Sequence, residues 1–321
     1  MNDIYFYDFD FNLLHILPPF AEDTGYISVN ATLDFCGDGS FELSFSDGEL
    51  RSVIEGKKDE IFVKWGKFEG FLTGFKWEDN ASYLYGMSLS GLLHRIVFPP
   101  TKTAQTNNRT AEFIVRDMIS QSGVFLSLGS EAGLTSVVDF QSDKYQTADI
   151  FVSDCLRLDN AGFEIYADFN VKKFMFRCKK RTETDLIISE NLLNAYNFTT
   201  AYTNKEAAFG GWYEEEYTNS DGESAKRWKY ITSAEKSGIR KIDTVLSSNT
   251  KAEAEKELKR LCPQYDIEAE TKDLTLGTSY GLGDIIRLQS GDVTVKKVIS
   301  SVDIWQEETY GETPKFNDLE G

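Results

Sequence analysis

Apolar and polar positions alternate with a period of two through much of the first hundred residues. Phe41, Leu43 and Phe45 fall on one face of an extended segment and Glu42 and Ser44 on the other, the pattern of a half-buried strand. Phe71, Thr73, Phe75 and Trp77 alternate in the same way, as do Tyr83, Tyr85, Met87 and Leu89 beyond an Asp79-Asn80 turn. Residues 4–7 and 26–35 read as further strands, Cys36-Gly37-Asp38-Gly39-Ser40 as a turn, and Pro18-Pro19 as a break. Short strands at this spacing predict a small barrel or sandwich. The apolar run 91–97, ahead of Pro99-Pro100, closes it.

Beyond a polar linker or exposed loop at 101–108 the period becomes helical. Ala111, Ile114, Val115 and Met118 share one face, with Gly123 as the stop. A β-like stretch at 136–140 precedes a second helix over 148–160, whose Phe151, Cys155 and Leu158 form a core stripe ended by Gly162. Residues 163–167 and 173–177 read as a hairpin across Asp168-Phe169-Asn170, so this middle region is α+β.

Long strands return from about 195. Residues 197–212 contain a Thr203-Asn204-Lys205 turn, and 212–217 and 227–232 flank the hairpin signal Asn219-Ser220-Asp221-Gly222. A helix at 250–261 carries a capping box (Thr250, Glu253), an i,i+4 pair (Glu255, Lys259) and a basic end before Pro263. Its narrow stripe, Ala254, Leu258 and Leu261, places it on a surface. Tyr280-Gly281-Leu282-Gly283-Asp284 then opens a strand, Ser290-Gly291-Asp292 turns it, and a long strand runs to Trp305 before a polar tail. Residues 59–77 follow a related plan: acid, apolar strand, Gly66 turn, and a long strand ending in Trp77. The fold class expected is therefore β-rich α+β. Two small β-barrel-like domains, 1–100 and 195–321, flank an α+β middle domain, 101–194, with the helix 250–261 inserted in the last.

Composition supports this reading. The 321 residues are 41% hydrophobic and 27% charged, values of a globular chain long enough for about two domains. Aromatics reach 13%, with 23 Phe and 15 Tyr, residues that favour pleated surfaces. No apolar run approaches the length of a membrane span, and the start of the chain lacks the pattern of a signal peptide. The net charge of −18 argues against a surface that grasps nucleic acid, which needs clustered Lys and Arg.

Candidate chemistry is sparse, and no catalytic, cofactor or metal site is assigned. Cys36, Cys155, Cys178 and Cys262 have no CxxC spacing and read as reduced core thiols. Only His15 and His94 could join them at a zinc ion. No G-x-S-x-G elbow surrounds a serine, and His94 ends an apolar run, as a structural residue does. Asp8 with Asp10, and Glu214-Glu215-Glu216, are carboxylate groupings, but a glycosidase needs its pair in a cleft. The acidic triplet reads first as a solvated face, with weak metal binding as the other use. Gly281-Leu282-Gly283 opens a strand, not a helix, so it is no dinucleotide fingerprint. The Asn-X-Ser/Thr matches at Asn30, Asn80, Asn108 and Asn197 read as chance without a secretory signal. Trp212, Trp228 and Tyr230 are the aromatics that fit a subunit interface or a sugar-binding face.

The order of segments resembles the baseplate-hub, or tail-tip, proteins of siphophages and prophages. The resemblance rests on Tyr7 to Leu14 and Gly39-Ser40-Phe41-Glu42-Leu43 as opening strands, and on 91–97 as the close of the first barrel. It continues through the middle helices at 113–119 and 148–158, Asn191-Leu192-Leu193, Tyr280 to Ile286, and Tyr310 to Phe316. His94-Arg95 departs from the more basic pair of that family. The resemblance implies a structural, non-enzymatic virion protein, folded in the bacterial host cytoplasm. It implies a homotrimer with two barrels per chain. Its partners would be the tail tube or distal tail protein and a spike or fibre. DNA would pass through without specific binding, and no membrane would be entered. The readings kept beside it are a carbohydrate- or receptor-binding tail module and a cell-wall glycoside hydrolase with a carboxylate pair.

Overall fold

The computed structural model describes residues 2–19, 25–57, 60–78, 81–102, 106–122, 125–203, 208–218, 223–233, 241–261 and 264–319. The chain forms two compact units. The first comprises Met1–Leu186, Asp273–Ile286 and Lys297–Asn317; the second comprises Ile187–Lys272, Arg287–Lys296 and Asp318–Gly321.

Alternation sets the early strands, β1 (Ile4–Asp8), β2 (Leu13–Leu17), β3 (Tyr26–Asp34) and β4 (Ser40–Phe45). In β4, Phe41, Leu43 and Phe45 are buried while Ser40 and Glu42 are exposed. The helix α1 (Gly48–Lys57) follows, unforeseen because only Leu50 and Ile54 mark its buried side. Asp47 caps it, its Oδ1 accepting the Leu50 N–H at 2.9 Å. Then come β5 (Ile61–Trp65), β6 (Phe68–Trp77) and β7 (Ser82–Ser88). The run 91–97 lies largely in a 3₁₀ helix, Leu89–Arg95.

The middle segment carries β8 (Val97–Phe98), α2 (Ala111–Gln121), β9 (Leu126–Leu128), β10 (Gln146–Thr147), α3 (Ala148–Arg157), β11 (Gly162–Asp168) and β12 (Lys173–Lys179). Residues 136–140 make no strand; Val137 forms one isolated bridge to Thr110. Helix α3 ends at Arg157, so Leu158 is exposed, and the buried row is Phe151, Val152, Cys155 and Leu156. Asn160, at φ 49°, takes the left-handed position expected of Gly162. Gly162 lies in β11, where a Cβ would sit 2.2 Å from the Phe35 carbonyl oxygen. These elements share one core, in which Phe151 meets Phe98 and Phe140 edge-on.

The remaining strands are β13 (Thr182–Ser189), β14 (Ala195–Thr203), β15 (Gly210–Thr218), β16 (Ser224–Thr232), β17 (Asp243–Val245), β18 (Gln264–Thr271), β19 (Asp284–Ser290), β20 (Val293–Gln306) and β21 (Tyr310–Asp318), with α4 (Lys251–Leu261) before β18. The tail read as polar is thus the strand β21, paired to β20. An eleven-stranded sheet runs β13-β19-β20-β3-β4-β7-β6-β5-β1-β2, with β21 beside β20. The two hairpins of related plan, β5–β6 and β19–β20, both belong to it, turned by Gly66 (φ 55°) and Gly291 (φ 58°). In the second unit β14 pairs β18, and β16-β15-β17 form a three-stranded sheet. The turns expected at 79–80, 204–205 and 219–222, the stop at Gly123, and Cys262-Pro263 lie outside the described residues, as does Asp59.

Candidate assembly surface

The three-stranded sheet of the second unit has two unlike faces. On one, Tyr213 is buried with Ala208, Leu246, and Ala254 and Leu258 of α4. The stripe foreseen on α4 is what covers this face, and its cap is formed by the Glu253 N–H donating to Thr250 Oγ1 at 3.3 Å. Gly211 lets the strands and Leu246 approach, since a Cβ there would meet Leu246 at 2.5 Å.

The opposite face follows from the pairing register. Trp212 lies across from Tyr230 and beside Val245, and Glu214 across from Trp228. These four apolar side chains are exposed, Trp228 at 55% and Val245 at 68%. The Trp212 and Tyr230 rings are 5.1 Å apart. Tyr230 donates its hydroxyl to Asp243 Oδ1 at 2.9 Å, and Lys241 stands over its ring while pairing with Asp243. The three aromatics singled out in the sequence therefore converge on one surface. Val245 and Asp243 were missed, because β17 is too short to show alternation. These exposed apolar side chains make this face a candidate interaction surface.

The acidic triplet beside it is not an open cation site. Glu214 accepts Lys226 at 2.6 Å, Glu215 accepts Arg227 and Lys229, and Lys226 also reaches Glu216. The Arg227 hydrogen bond holds the Glu215 carboxyl below its usual range. Among the described residues, no group of three His, Cys, Asp or Glu is placed to hold a metal ion.

The first unit contains a cleft of about 390 Å³, lined by Asp34, Lys67, Glu69, Glu164, Lys179 and the turn 276–282. Three carboxylates meet there, but each is engaged within the fold. Glu69 accepts Lys64 at 2.5 Å and the Ala167 N–H at 2.7 Å. Glu164 accepts Arg177 Nε at 2.7 Å and pairs with Lys179. Burial pushes the Asp34 carboxyl up, while its Oδ1 accepts the Cys36 N–H at 2.9 Å. Asp284 likewise folds back on its own turn, accepting the Gly281 N–H at 2.6 Å. Gly283, not Gly281, takes the left-handed conformation, at φ 84°.

The histidines tie elements together. His94 contacts Asp38 through Nε2 and lies 3.1 Å from Asp149 through Nδ1, joining the 36–40 turn to the start of α3. His15 meets Asp47, the cap of α1, at 3.2 Å. Asp8 accepts the N–H groups of Asp10 and Asn12 and so builds a turn with its neighbour rather than a carboxylate pair. Burial pushes the Cys155 thiol up to about 12 and raises Cys178 as well, so both stay protonated.

No protein-family model matches the sequence, and no curated protein matches it. Solved structures do. The tail protein from Neisseria meningitidis MC58 superposes with a TM-score of 0.59 at 10% identity, covering 99% of this chain and 97% of that one. The 43 kDa tail protein of prophage MuSo2 from Shewanella oneidensis gives 0.55 at 11% identity, covering 98% of each chain. Prophage tail protein gp18 from Listeria monocytogenes gives 0.55 at 13% identity, over 98% of this chain and 94% of that one. Along almost its whole length, then, the chain has the fold of prophage tail proteins.

Proposed function

We propose that the protein is a structural component of a phage or prophage tail tip: a baseplate hub that joins the tail tube to the spike or fibre. One observation carries the reading, the likeness to three tail proteins, two of them from prophages, over at least 98% of the chain. The chain works by assembly rather than catalysis, in keeping with a cleft whose carboxylates are engaged by the fold. Its active form is a homotrimer. Three chains with two similar barrels each would give a ring of six, matching a hexameric tube on one side and a three-fold spike on the other. The three-part division at residues 100 and 194, and the barrel form of the outer parts, belong to the same proposal. So does the use of the Trp212, Trp228, Tyr230 and Val245 face as a surface covered in the ring. A net charge of −18 suits a channel that DNA crosses without adhering. Light scattering after size exclusion at micromolar protein tests the reading. Three times the chain mass supports it; a monomer that stays monomeric with its tail-tube partner present overturns it.

A further inference from the structure

A second surface, within the first unit, has a different chemistry. Register places Trp305, Asn30, Glu42 and Tyr85 in one row across β20, β3, β4 and β7. The row forms the floor of a groove of about 530 Å³. Neighbouring strands are about 4.8 Å apart, so the two aromatic residues stand about 14 Å from each other. Trp305 is pressed against the Gly311 backbone, where a Cβ would sit 2.1 Å from its ring. Tyr85, 37% exposed, lies opposite Gly74, where no side chain competes for space. Both ends of the row are thus aromatic platforms set beside glycine.

Between them the groups are polar and available. Asn30 and Glu42 are exposed, and neither side chain has a partner among the described residues. Alongside runs a fixed polar row: Thr32 donates to Asp303 Oδ1 at 2.8 Å, and Lys315 pairs with Asp303 Oδ2 at 2.6 Å. Two aromatic platforms separated by an amide and a carboxylate suit a linear sugar. The C–H faces of its terminal rings stack on Trp305 and Tyr85, and its vicinal hydroxyls donate to Glu42 and exchange hydrogen bonds with Asn30. An apolar protein partner would bury the Glu42 carboxylate without compensation. An anionic ligand would meet Glu42 directly. We infer that this groove binds a neutral linear oligosaccharide, such as the glycan of a bacterial surface, as a function additional to assembly.

The inference does not rest on the trimer, because binding is read whether the protein is monomeric or assembled. Full-length protein is titrated calorimetrically with tri- and tetrasaccharides of glucose and of N-acetylglucosamine. Saturable binding of at least one is expected, weakened about tenfold or more by Glu42→Ala and by Tyr85→Ala. Both sites are exposed, so melting temperature and solution mass should match the parent. Leu158→Ala, at an exposed site outside the groove, leaves sugar affinity unchanged. Absence of binding at about 10 mM sugar, ten times the Kd of a millimolar ligand, overturns the inference. So does binding that survives both groove substitutions.

Discussion

At the scale of single residues, glycine positions show how much of a turn is backbone and how much is packing. Gly283 is constrained twice: φ is 84°, and a Cβ would lie 2.1 Å from the Phe35 ring. Gly291 is constrained once, at φ 58° with open space around it. Gly283→Ala is therefore expected to cost roughly 2–4 kcal/mol and Gly291→Ala only about 1 kcal/mol, measured as a difference in urea midpoints. Asp8 makes a second residue-scale case. Burial pushes its carboxyl up, but hydrogen bonds from Asn12 and Asp10 outweigh this and leave it below the usual value. A lowered folded-state pKa contributes stability that is present above the unfolded value, near pH 4, and is lost as pH falls through the folded one. Asp8→Asn should be less stable than the parent at pH 7, and the two should converge in acid. A constant difference across that range would rule out the ionised turn. The sequence displayed the Asp8-Asp10 spacing but not its use, because only the fold reveals which N–H groups a carboxylate faces.

Among elements, legibility followed the strength of periodicity. Strand β4 and the hairpin β11–β12 were readable because one face is buried and the other wet. Strands β6 and β7 were readable as strands but not by face. The buried positions of β7 are Ser82, Leu84, Gly86 and Ser88, not the Tyr83, Tyr85, Met87 row. In β6, Thr73 and Phe75 are exposed beyond a register shift at Leu72–Gly74. Helix α1 was not, since its two buried residues make too short a stripe and its cap, Asp47, looks like any turn residue. Asp47→Ala should remove about 1 kcal/mol and frees His15 from its partner. Strand β21 was hidden by its polar composition, its pairing being to β20 rather than to a core. The end of α3 gives a sharper test. The sequence stripe Phe151, Cys155, Leu158 overran the helix by one residue. Phe151 is fully buried between two rings, while Leu158 is 53% exposed. Phe151→Ala is expected to cost about 3–5 kcal/mol and Leu158→Ala less than about 0.5 kcal/mol, read by thermal unfolding. Comparable losses would restore the sequence stripe.

For the whole molecule, the informative feature is surface that the chain leaves uncovered. Trp212, Trp228, Tyr230 and Val245 share one face of a sheet whose other face is already filled by α4. Their identity was legible from the sequence; their convergence was not, since it depends on the β15–β16 register and on a parallel pairing to β17. In the ring proposed for the tail tip this face is covered by a neighbouring copy, and aromatic anchors of this size carry much of the energy of such interfaces. Trp228→Glu places a charge in that contact while leaving the core of the unit, on the far side of the sheet, untouched. The expected outcome is a shift of the assembled species toward monomer, at an unchanged monomer melting temperature and far-ultraviolet circular dichroism. Tyr213→Ala is the contrasting variant. Its side chain is buried beneath the same strand, so it should lower the melting temperature first and affect assembly only through unfolding. If Trp228→Glu assembles like the parent, the face is not an inter-copy contact, and the covering surface must be sought elsewhere on the chain.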